Sequence, residues 1–123
     1  MNKKILIVDD IEFIVEFEEK VIQTLAKELG IEIEVDSANT VMDANQKISE
    51  NIYDAMVIDM NLPDGSGVEI AKVALEKNEE TRIAALTIYP KKFEEHRAYF
   101  DAFFTKPILP TSYKQNLREL LHI

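Results

Sequence analysis

The chain has 123 residues, of which 46% are apolar, and this length suits one compact domain with a single hydrophobic core. Its 23 acidic and 14 basic residues give a formal net charge of −9, which disfavours direct binding to the phosphate backbone of DNA or RNA. The absence of cysteine excludes disulfides, thiolate metal sites and a cysteine nucleophile, and it agrees with a cytoplasmic location.

The first third of the chain predicts a strand, a helix and a second strand. Residues 5–8 form a continuous apolar run, which is typical of a strand buried on both faces. Apolar residues then recur at steps of three and four over residues 11–29, which predicts an amphipathic helix that stops at Gly30. Residues 31–35 alternate strictly between apolar and acidic, so we expect a strand with one exposed face near an edge of the sheet.

The middle of the chain begins with a second predicted helix. Asn39 or Thr40 is a suitable cap for its start, and the helix is expected to run to about Glu50. Residues 55–58 form another continuous apolar run, which predicts a second fully buried strand, and Asp59 closes it.

Turn-forming residues dominate 61–67, and a third helix is expected from about 66 to 77. The apolar run 83–86 predicts a buried strand that ends at Thr87. A fourth helix over 91–100 is weakly patterned.

Residues 102–104 predict a short last strand, and residues 110–122 predict a last helix. Five strands thus alternate with five helices, which indicates an α/β domain whose parallel sheet is covered by helices on both faces. The length fits the flavodoxin-like doubly wound fold with strand order 2-1-3-4-5. We expect residues 1–123 to form a single domain.

Polar side chains close the strands that meet where the strand order reverses. Asp9 and Asp10 end the first strand, Asp59 ends the third, Thr87 ends the fourth, and Lys106 follows the fifth. In open parallel sheets the functional groups gather at the carboxyl ends of the strands beside this reversal. The predicted fold therefore brings three carboxylates, one hydroxyl and one ammonium to one edge of the sheet.

These groups are suited to phosphoryl transfer. Carboxylates at ~4 Å repel by roughly 4 kcal/mol at an effective dielectric near 20, so three of them require a cation. Oxygen ligands favour Mg²⁺ over zinc or copper. A carboxylate can also be the nucleophile of an aspartyl-phosphate, while Mg²⁺, a lysine and a threonine hydroxyl neutralise or bind the phosphoryl oxygens. Such a reaction needs positioning and charge and no general base.

The chain resembles the receiver domain of two-component response regulators over essentially all of its length. The resemblance rests on four motifs in the expected order, which are Ile5–Asp10, the run Val57–Gly67, Leu86-Thr87 and Thr105-Lys106-Pro107. It implies that Asp59 accepts a phosphoryl group from the phosphohistidine of a sensor kinase or phosphotransfer protein. It also implies self-catalysed transfer and dephosphorylation without the turnover of an enzyme.

The resemblance implies a role for each residue of the site. Asp10 and Asp59 would ligate Mg²⁺ directly together with the backbone carbonyl of Asn61, and Asp9 would act mainly through water. Lys106 would pair with the phosphoryl oxygens.

The switch residues follow from the same resemblance. Thr87 would move towards the phosphoryl group, and Phe103 matches the aromatic residue that rotates inward when that threonine moves. Pro107 would follow a cis peptide bond.

The surface of the fourth helix, last strand and last helix would then change its preference for a downstream effector domain or protein. Neither a nucleic acid nor a membrane is an expected partner, and the fourth helix and last strand offer a surface for a homodimer.

Two features depart from the family pattern. Residue 88 is usually small in this family and is Ile88 here, and the stretch from Thr87 to Lys106 is a few residues shorter than usual. They keep open a different function, that of a receiver-like interaction module that is not phosphorylated. The sequence disfavours a flavin carrier, which needs a neutral phosphate-binding loop where Asp9 and Asp10 stand. It also disfavours a turnover phosphatase, which needs a second acid at the position of Asn61.

Overall fold

Five parallel strands form the central sheet of the protein. A computed structural model describes residues 2–123, apart from the side chain of Phe93, and Met1 of the expected domain lies outside the described residues. The strands are β1 (Asn2–Val8), β2 (Glu32–Ala38), β3 (Ala55–Asp59), β4 (Arg82–Thr87) and β5 (Ala102–Thr105). They pair in the order β2-β1-β3-β4-β5, so the predicted doubly wound order is confirmed.

Helices cover both faces of the sheet. They are α1 (Glu12–Leu29), α2 (Val41–Glu50), α3 (Gly67–Lys77) and α4 (Pro110–Leu121), with a 3-10 helix (Pro90–Tyr99) between β4 and β5. The core on one face joins α2, α3 and the end of the 3-10 helix to the sheet, and the core on the other face joins α1 and α4. Across residues 2–123, no helix has the length and apolar character that a bilayer-spanning segment requires.

The strand ends differ from the sequence prediction at the amino side of the sheet. β1 begins at Asn2 rather than at Ile5, because the main chains of Lys3 and Lys4 continue the ladder with β2. The Lys4 ammonium is accommodated by the Asn51 side chain, to which it donates a hydrogen bond of 2.7 Å. Residues 2–4 are polar, so the apolar pattern did not predict that their backbone pairs with β2.

The helix ends follow local capping chemistry. Gly30 ends α1 in the left-handed conformation, with φ of 66°, as its position predicted. Of the two candidate caps for α2, Thr40 is the one used, and its hydroxyl accepts a 3.0 Å hydrogen bond from the Asp43 amide. Ser66 caps α3 in the same manner through the Val68 amide.

The predicted fourth helix is a 3-10 helix rather than an α-helix. Its side chains are mostly exposed, so it lacks the broad apolar stripe that stabilises an amphipathic α-helix. A 3-10 helix advances about 2.0 Å per residue against about 1.5 Å in an α-helix. The tighter winding lets the short segment between β4 and β5 span the sheet with fewer residues.

Gly67 lets the start of α3 approach the strand that ends in Asp59. A Cβ atom at Gly67 would stand 2.7 Å from the Asp59 carbonyl oxygen and 2.7 Å from Cγ2 of Ile58. The backbone oxygen cannot move without disturbing β3. The spacing between α3 and the Asp59 main chain therefore requires glycine.

We expect Gly67→Ala to lower the free energy of unfolding by about 2 kcal/mol or more, because the added methyl overpacks against backbone. Urea denaturation measures this loss. Gly30→Ala is the control, since no atom lies within 4 Å of its Cβ position and only its left-handed φ of 66° opposes alanine. That strain costs about 1 kcal/mol. Equal losses in the two variants would contradict the overpacking at Gly67.

Candidate functional site

Three carboxylates meet at the carboxyl edge of the sheet. Asp9 and Asp10 follow β1, and Asp59 ends the neighbouring strand β3. One carboxylate oxygen of each lies within 4.8 Å of the other two. Asp9 and Asp59 are 1% and 4% exposed, so water screens their repulsion poorly, whereas Asp10 is exposed. The sequence prediction that these three acids come together is confirmed by their positions.

Lys106 provides a positive charge inside this cluster. Its Nζ lies 3.4 Å from Oδ2 of Asp59 and 3.8 Å from Oδ2 of Asp9. The Lys106 amide donates a 3.0 Å hydrogen bond to the Thr87 carbonyl, which anchors the backbone at the end of β5. The Lys106–Pro107 peptide bond is cis, as expected. The lysine therefore reaches across the sheet from the end of β5 to face both buried acids.

One oxygen of Asp9 lacks a hydrogen-bond donor. Oδ1 accepts a 2.9 Å hydrogen bond from the Ile11 amide, whereas the buried Oδ2 has only the distant Lys106 ammonium. Burial raises the pKa of Asp9, and the negative charge of Asp59 raises it further, while the Ile11 amide and Lys106 counteract part of this shift. A buried carboxylate oxygen without a donor is a suitable ligand for a cation. This donor set, all oxygen and nearly all anionic, fits Mg²⁺.

Asp59 is held from both sides. Its Oδ1 accepts a 3.1 Å hydrogen bond from the Asn61 amide, and its Oδ2 faces Lys106. Asn61 pairs with Ser66 in a short antiparallel hairpin that leads from β3 into α3. The Asn61 backbone, whose carbonyl is the expected ligand, therefore lies directly beside the Asp59 carboxylate.

Thr87 ends β4 beside the acids. Leu86 pairs with Asp59 in the ladder, so Thr87 lies one residue beyond that pair. The threonine is buried, and its hydroxyl accepts a 3.1 Å hydrogen bond from the Tyr89 amide. A hydroxyl that accepts one bond can still donate its own hydrogen. Thr87 therefore stands at the position expected of a phosphoryl-binding hydroxyl.

Phe103 and Phe104 point to opposite faces of the sheet. Phe103 pairs with Ala85 in the ladder, and it shares a face with Thr87 because side chains alternate along a strand. Its ring is half-buried and lies 5.6 Å from the ring of Phe100. Phe104 is buried in the other core against Tyr113. Phe104 is therefore the structural residue, and Phe103 stands next to the candidate site.

The bulky residue after Thr87 faces solvent. Ile88 is 59% exposed and Tyr89 is 67% exposed. The Ile88 side chain is therefore mostly in contact with solvent.

Sequence reasoning missed a buried acid behind the site. Glu18 lies among charged residues of α1, which predict a polar face, yet it is 0% exposed. It stands four residues before the buried Ile22, so helical spacing alone places it on the apolar stripe of α1. A charged side chain at an apolar helical position is the feature that would have revealed it.

Burial changes the chemistry of Glu18. Loss of water raises its pKa to about 8, and the charge of Asp9 contributes to the increase, whereas the Tyr113 hydroxyl and Lys106 lower it. Neither carboxylate oxygen makes a hydrogen bond of ordinary geometry, although the buried Tyr113 hydroxyl is close enough to influence the pKa. With a pKa of about 8, Glu18 is mostly protonated at neutral pH.

Comparisons by family model, by sequence and by structure all match this chain to response regulators. A family model described as the response regulator receiver domain matches residues 5–118. The response regulator protein PilR of Pseudomonas aeruginosa is 31% identical over 112 residues, which is 87% of this chain and 23% of PilR. The chain thus spans less than a quarter of this curated relative.

Solved structures share the fold over nearly the whole chain. The chemotaxis response regulator CheY4 of Vibrio cholerae is 26% identical, covers 98% of this chain and 100% of its own, and gives a TM-score of 0.85. The response regulator TrrA of Thermotoga maritima, in complex with Mg²⁺ and beryllium fluoride, is 26% identical. That similarity covers 97% of this chain and 99% of TrrA, with a TM-score of 0.76.

We expect Glu18→Gln to make the protein more stable at pH 8 than the wild type and nearly equal to it at pH 5. Between the ordinary carboxyl pKa of 4.5 and about 8, the unfolded wild-type chain has lost the proton that the folded protein retains. The wild type therefore loses up to about 1.4 kcal/mol of stability per pH unit as pH rises through this window, and glutamine does not. The difference reaches about 4 kcal/mol near pH 8.

Chemical denaturation at pH 5, 6.5 and 8 measures this difference. Glu16→Gln, at an exposed position of the same helix, controls for the loss of one acidic side chain. Parallel stability curves for the wild type and Glu18→Gln would show that Glu18 does not retain its proton on folding.

Proposed function

Because the chain belongs to the response regulator receiver domain family of two-component signalling, we propose that Asp59 is its phosphoacceptor. The observation that carries this proposal is the placement of Asp59 between Lys106 and the acidic pair Asp9 and Asp10. In that position one oxygen is held by the Asn61 amide and the other faces the lysine. We also propose that residues 1–123 act as one receiver domain.

A divalent cation belongs to this proposal. Asp10 and Asp59 would hold Mg²⁺ directly together with the Asn61 carbonyl, and Asp9 would act mainly through water. The buried Asp9 oxygen without a donor supports this, because it is free to accept a hydrogen bond from a water on the cation. The TrrA complex with Mg²⁺ and beryllium fluoride supports it as well. When bound, Mg²⁺ supplies positive charge to the oxygens of the transferring group.

The transfer itself requires little beyond position. A carboxylate oxygen of Asp59 forms a bond to phosphorus while the bond between phosphorus and the donor's imidazole nitrogen breaks, and the nitrogen keeps the electron pair. Lys106 stabilises the charge on the phosphoryl oxygens, and the Thr87 hydroxyl donates a hydrogen bond to one of them. Water later cleaves the acyl phosphate, which releases inorganic phosphate and regenerates the Asp59 carboxylate. We therefore propose that the chain is a self-catalysed phosphoacceptor and not a turnover enzyme.

The switch would act through the face of the sheet that Thr87 and Phe103 share. When the Thr87 hydroxyl turns to the phosphoryl group it leaves the Tyr89 amide, and Phe103 fills the space that it vacates. Phe103 contacts Phe100 and Arg97, so its rotation would reach the 3-10 helix. The surface of the 3-10 helix, β5 and α4 would then shift its population towards the effector-binding form.

The partners follow from family membership. We propose a sensor histidine kinase or a phosphotransfer protein as the donor and an effector domain or protein as the recipient of the signal. A homodimer through the 3-10 helix and β5 would be one form of output. The acidic surface argues against nucleic acid as a direct partner, and we assign the protein to the cytoplasm, where such kinases present their phosphohistidine.

Mg²⁺ should stabilise the folded protein, because the unfolded chain lacks the assembled site. At a hundredfold excess over the dissociation constant the gain is about 2.7 kcal/mol, which raises the melting temperature. Asp10→Asn should weaken this response because it removes an anionic ligand. Scanning calorimetry with and without Mg²⁺ measures both effects. If the melting temperature of the wild type does not change with Mg²⁺, a cation site at the three acids is excluded.

Wild-type protein incubated with Mg²⁺ and a small acyl phosphate should gain the mass of one phosphoryl group, and Asp59→Asn should not. Intact mass spectrometry reads this directly. Asp54→Asn is the matched control, since Asp54 is exposed and precedes β3 at the opposite edge of the sheet, where it accepts a hydrogen bond from the Lys4 amide. No mass gain in the wild type at millimolar donor would instead favour the interaction module that is never phosphorylated.

A further inference from the structure

The hairpin that carries Asn61 is attached at its tip to a helix distant in sequence. This hairpin runs from Asn61 to Ser66, and Asp64 lies in its turn. Oδ1 of Asp64 accepts a 2.7 Å hydrogen bond from the Val41 amide, and Oδ2 accepts a 3.1 Å bond from the Met42 amide. Both amides belong to the first turn of α2, so one carboxylate joins the hairpin to that helix.

Asp64 and Thr40 divide the capping of α2 between them. The first amides of a helix have no partner within the helix. Asp64 satisfies those of Val41 and Met42, and Thr40 satisfies that of Asp43. These two hydrogen bonds to amides lower the pKa of Asp64, which favours the charged form at the positive end of the helix dipole. Thr40 directly precedes α2 in the chain, whereas Asp64 comes from the hairpin beside the candidate site.

The hairpin is held differently at its base. There the Asn61 amide donates to Asp59, and the Gly67 amide donates to the Met60 carbonyl at 3.4 Å. The turn includes Gly65, whose φ of 157° would be strained for a residue with a side chain. At the tip Asp64 is exposed, whereas Leu62 is partly buried against the core, and the two hydrogen bonds of Asp64 are the side-chain bonds that join the tip to α2.

We propose that Asp64 is a positioning residue for cation binding. By holding the tip of the hairpin against α2, it sets the orientation of the Asn61 peptide and hence of the carbonyl that would meet the cation. This inference rests on the proposed function, because it concerns the affinity of the same site. It assigns a role to a residue that touches neither the cation nor the phosphoryl group.

The physical reason is the narrow geometry that Mg²⁺ accepts. Its ligands must lie close to an octahedron at about 2.0–2.1 Å, so a carbonyl on a mobile hairpin binds it weakly. Residues that orient a ligand without touching the metal typically change metal affinity by about 10–100-fold when they are removed. The link also works in reverse, because a cation that holds the Asn61 carbonyl stabilises the contact of Asp64 with α2.

The first test is a Mg²⁺ titration of four proteins by calorimetry. Asp64→Ala should raise the dissociation constant about 10-fold relative to the wild type. Thr40→Ala removes a cap from the same helix without touching the hairpin, and it should leave the constant nearly unchanged. Glu69→Gln removes one charge beside Gly65 without affecting α2, and screening limits its effect to about twofold.

Hydrogen exchange on the metal-free proteins gives an independent readout. In Asp64→Ala the amides of Val41, Met42 and the hairpin should exchange faster than in the wild type, whereas in Thr40→Ala the hairpin amides should not. Asp64→Asn, which keeps one acceptor oxygen, should give intermediate values and provides a milder variant if alanine impairs folding.

The results separate this inference from the proposed function. If the wild type binds Mg²⁺ and Asp64→Ala binds it equally well, the positioning role is wrong and the proposed function stands. Losses as large in Thr40→Ala or Glu69→Gln would assign the effect to helix stability or to charge, and would also overturn the role. If the wild type does not bind Mg²⁺, the proposed cation site itself fails and the positioning role fails with it.

Discussion

Electrostatic repulsion among Asp9, Asp10 and Asp59 is the constraint around which the carboxyl edge of the sheet is built. Two buried carboxylates and an exposed one approach within 4.8 Å. Two unit charges at this distance repel by roughly 3–4 kcal/mol at an effective dielectric near 20, and water reduces the repulsion for the exposed Asp10. Lys106 compensates only part of this charge, since one ammonium faces two buried acids at 3.4 and 3.8 Å. The fold must therefore hold the acids together by other means. The parallel ladder between β1 and β3 does so, because backbone pairing places their ends side by side.

The surrounding loops keep that arrangement from relaxing. Gly67 lets α3 start against the Asp59 carbonyl, and the hairpin before it returns the Asn61 amide to the Asp59 carboxylate. Asp64 joins the hairpin tip to the first turn of α2 through two hydrogen bonds. Each contact uses backbone atoms, which have less freedom to move than side chains. These contacts order the acids in advance, so the proposed cation would lose little binding energy in ordering them.

The position of the site was predictable from the sequence because one rule governs it. Parallel strands end at a common edge, so the residues that close apolar runs become neighbours once the strand order is known. The burial of Glu18 was not predicted, because charged residues surround it in the sequence, although its helical spacing matches the buried stripe of α1. The 3-10 form of the fourth helix was not predicted either. Hydrogen bonds to the third rather than the fourth residue leave little trace in a segment with a weak apolar pattern.

The two faces of the sheet divide the chemistry near the site. Asp59 shares a face with Val57 and the core of α1 and α4, where the neutral Glu18 lies, whereas Thr87 and Phe103 belong to the face of α3 and the 3-10 helix. A negative charge at Glu18 would compete for Lys106, so its proton keeps the lysine available to Asp59. On the other face, the 3-10 helix buries little of its surface, and such segments rearrange at low free-energy cost. A change at Asp59 would therefore be resisted on the α1 side and transmitted on the side of the 3-10 helix.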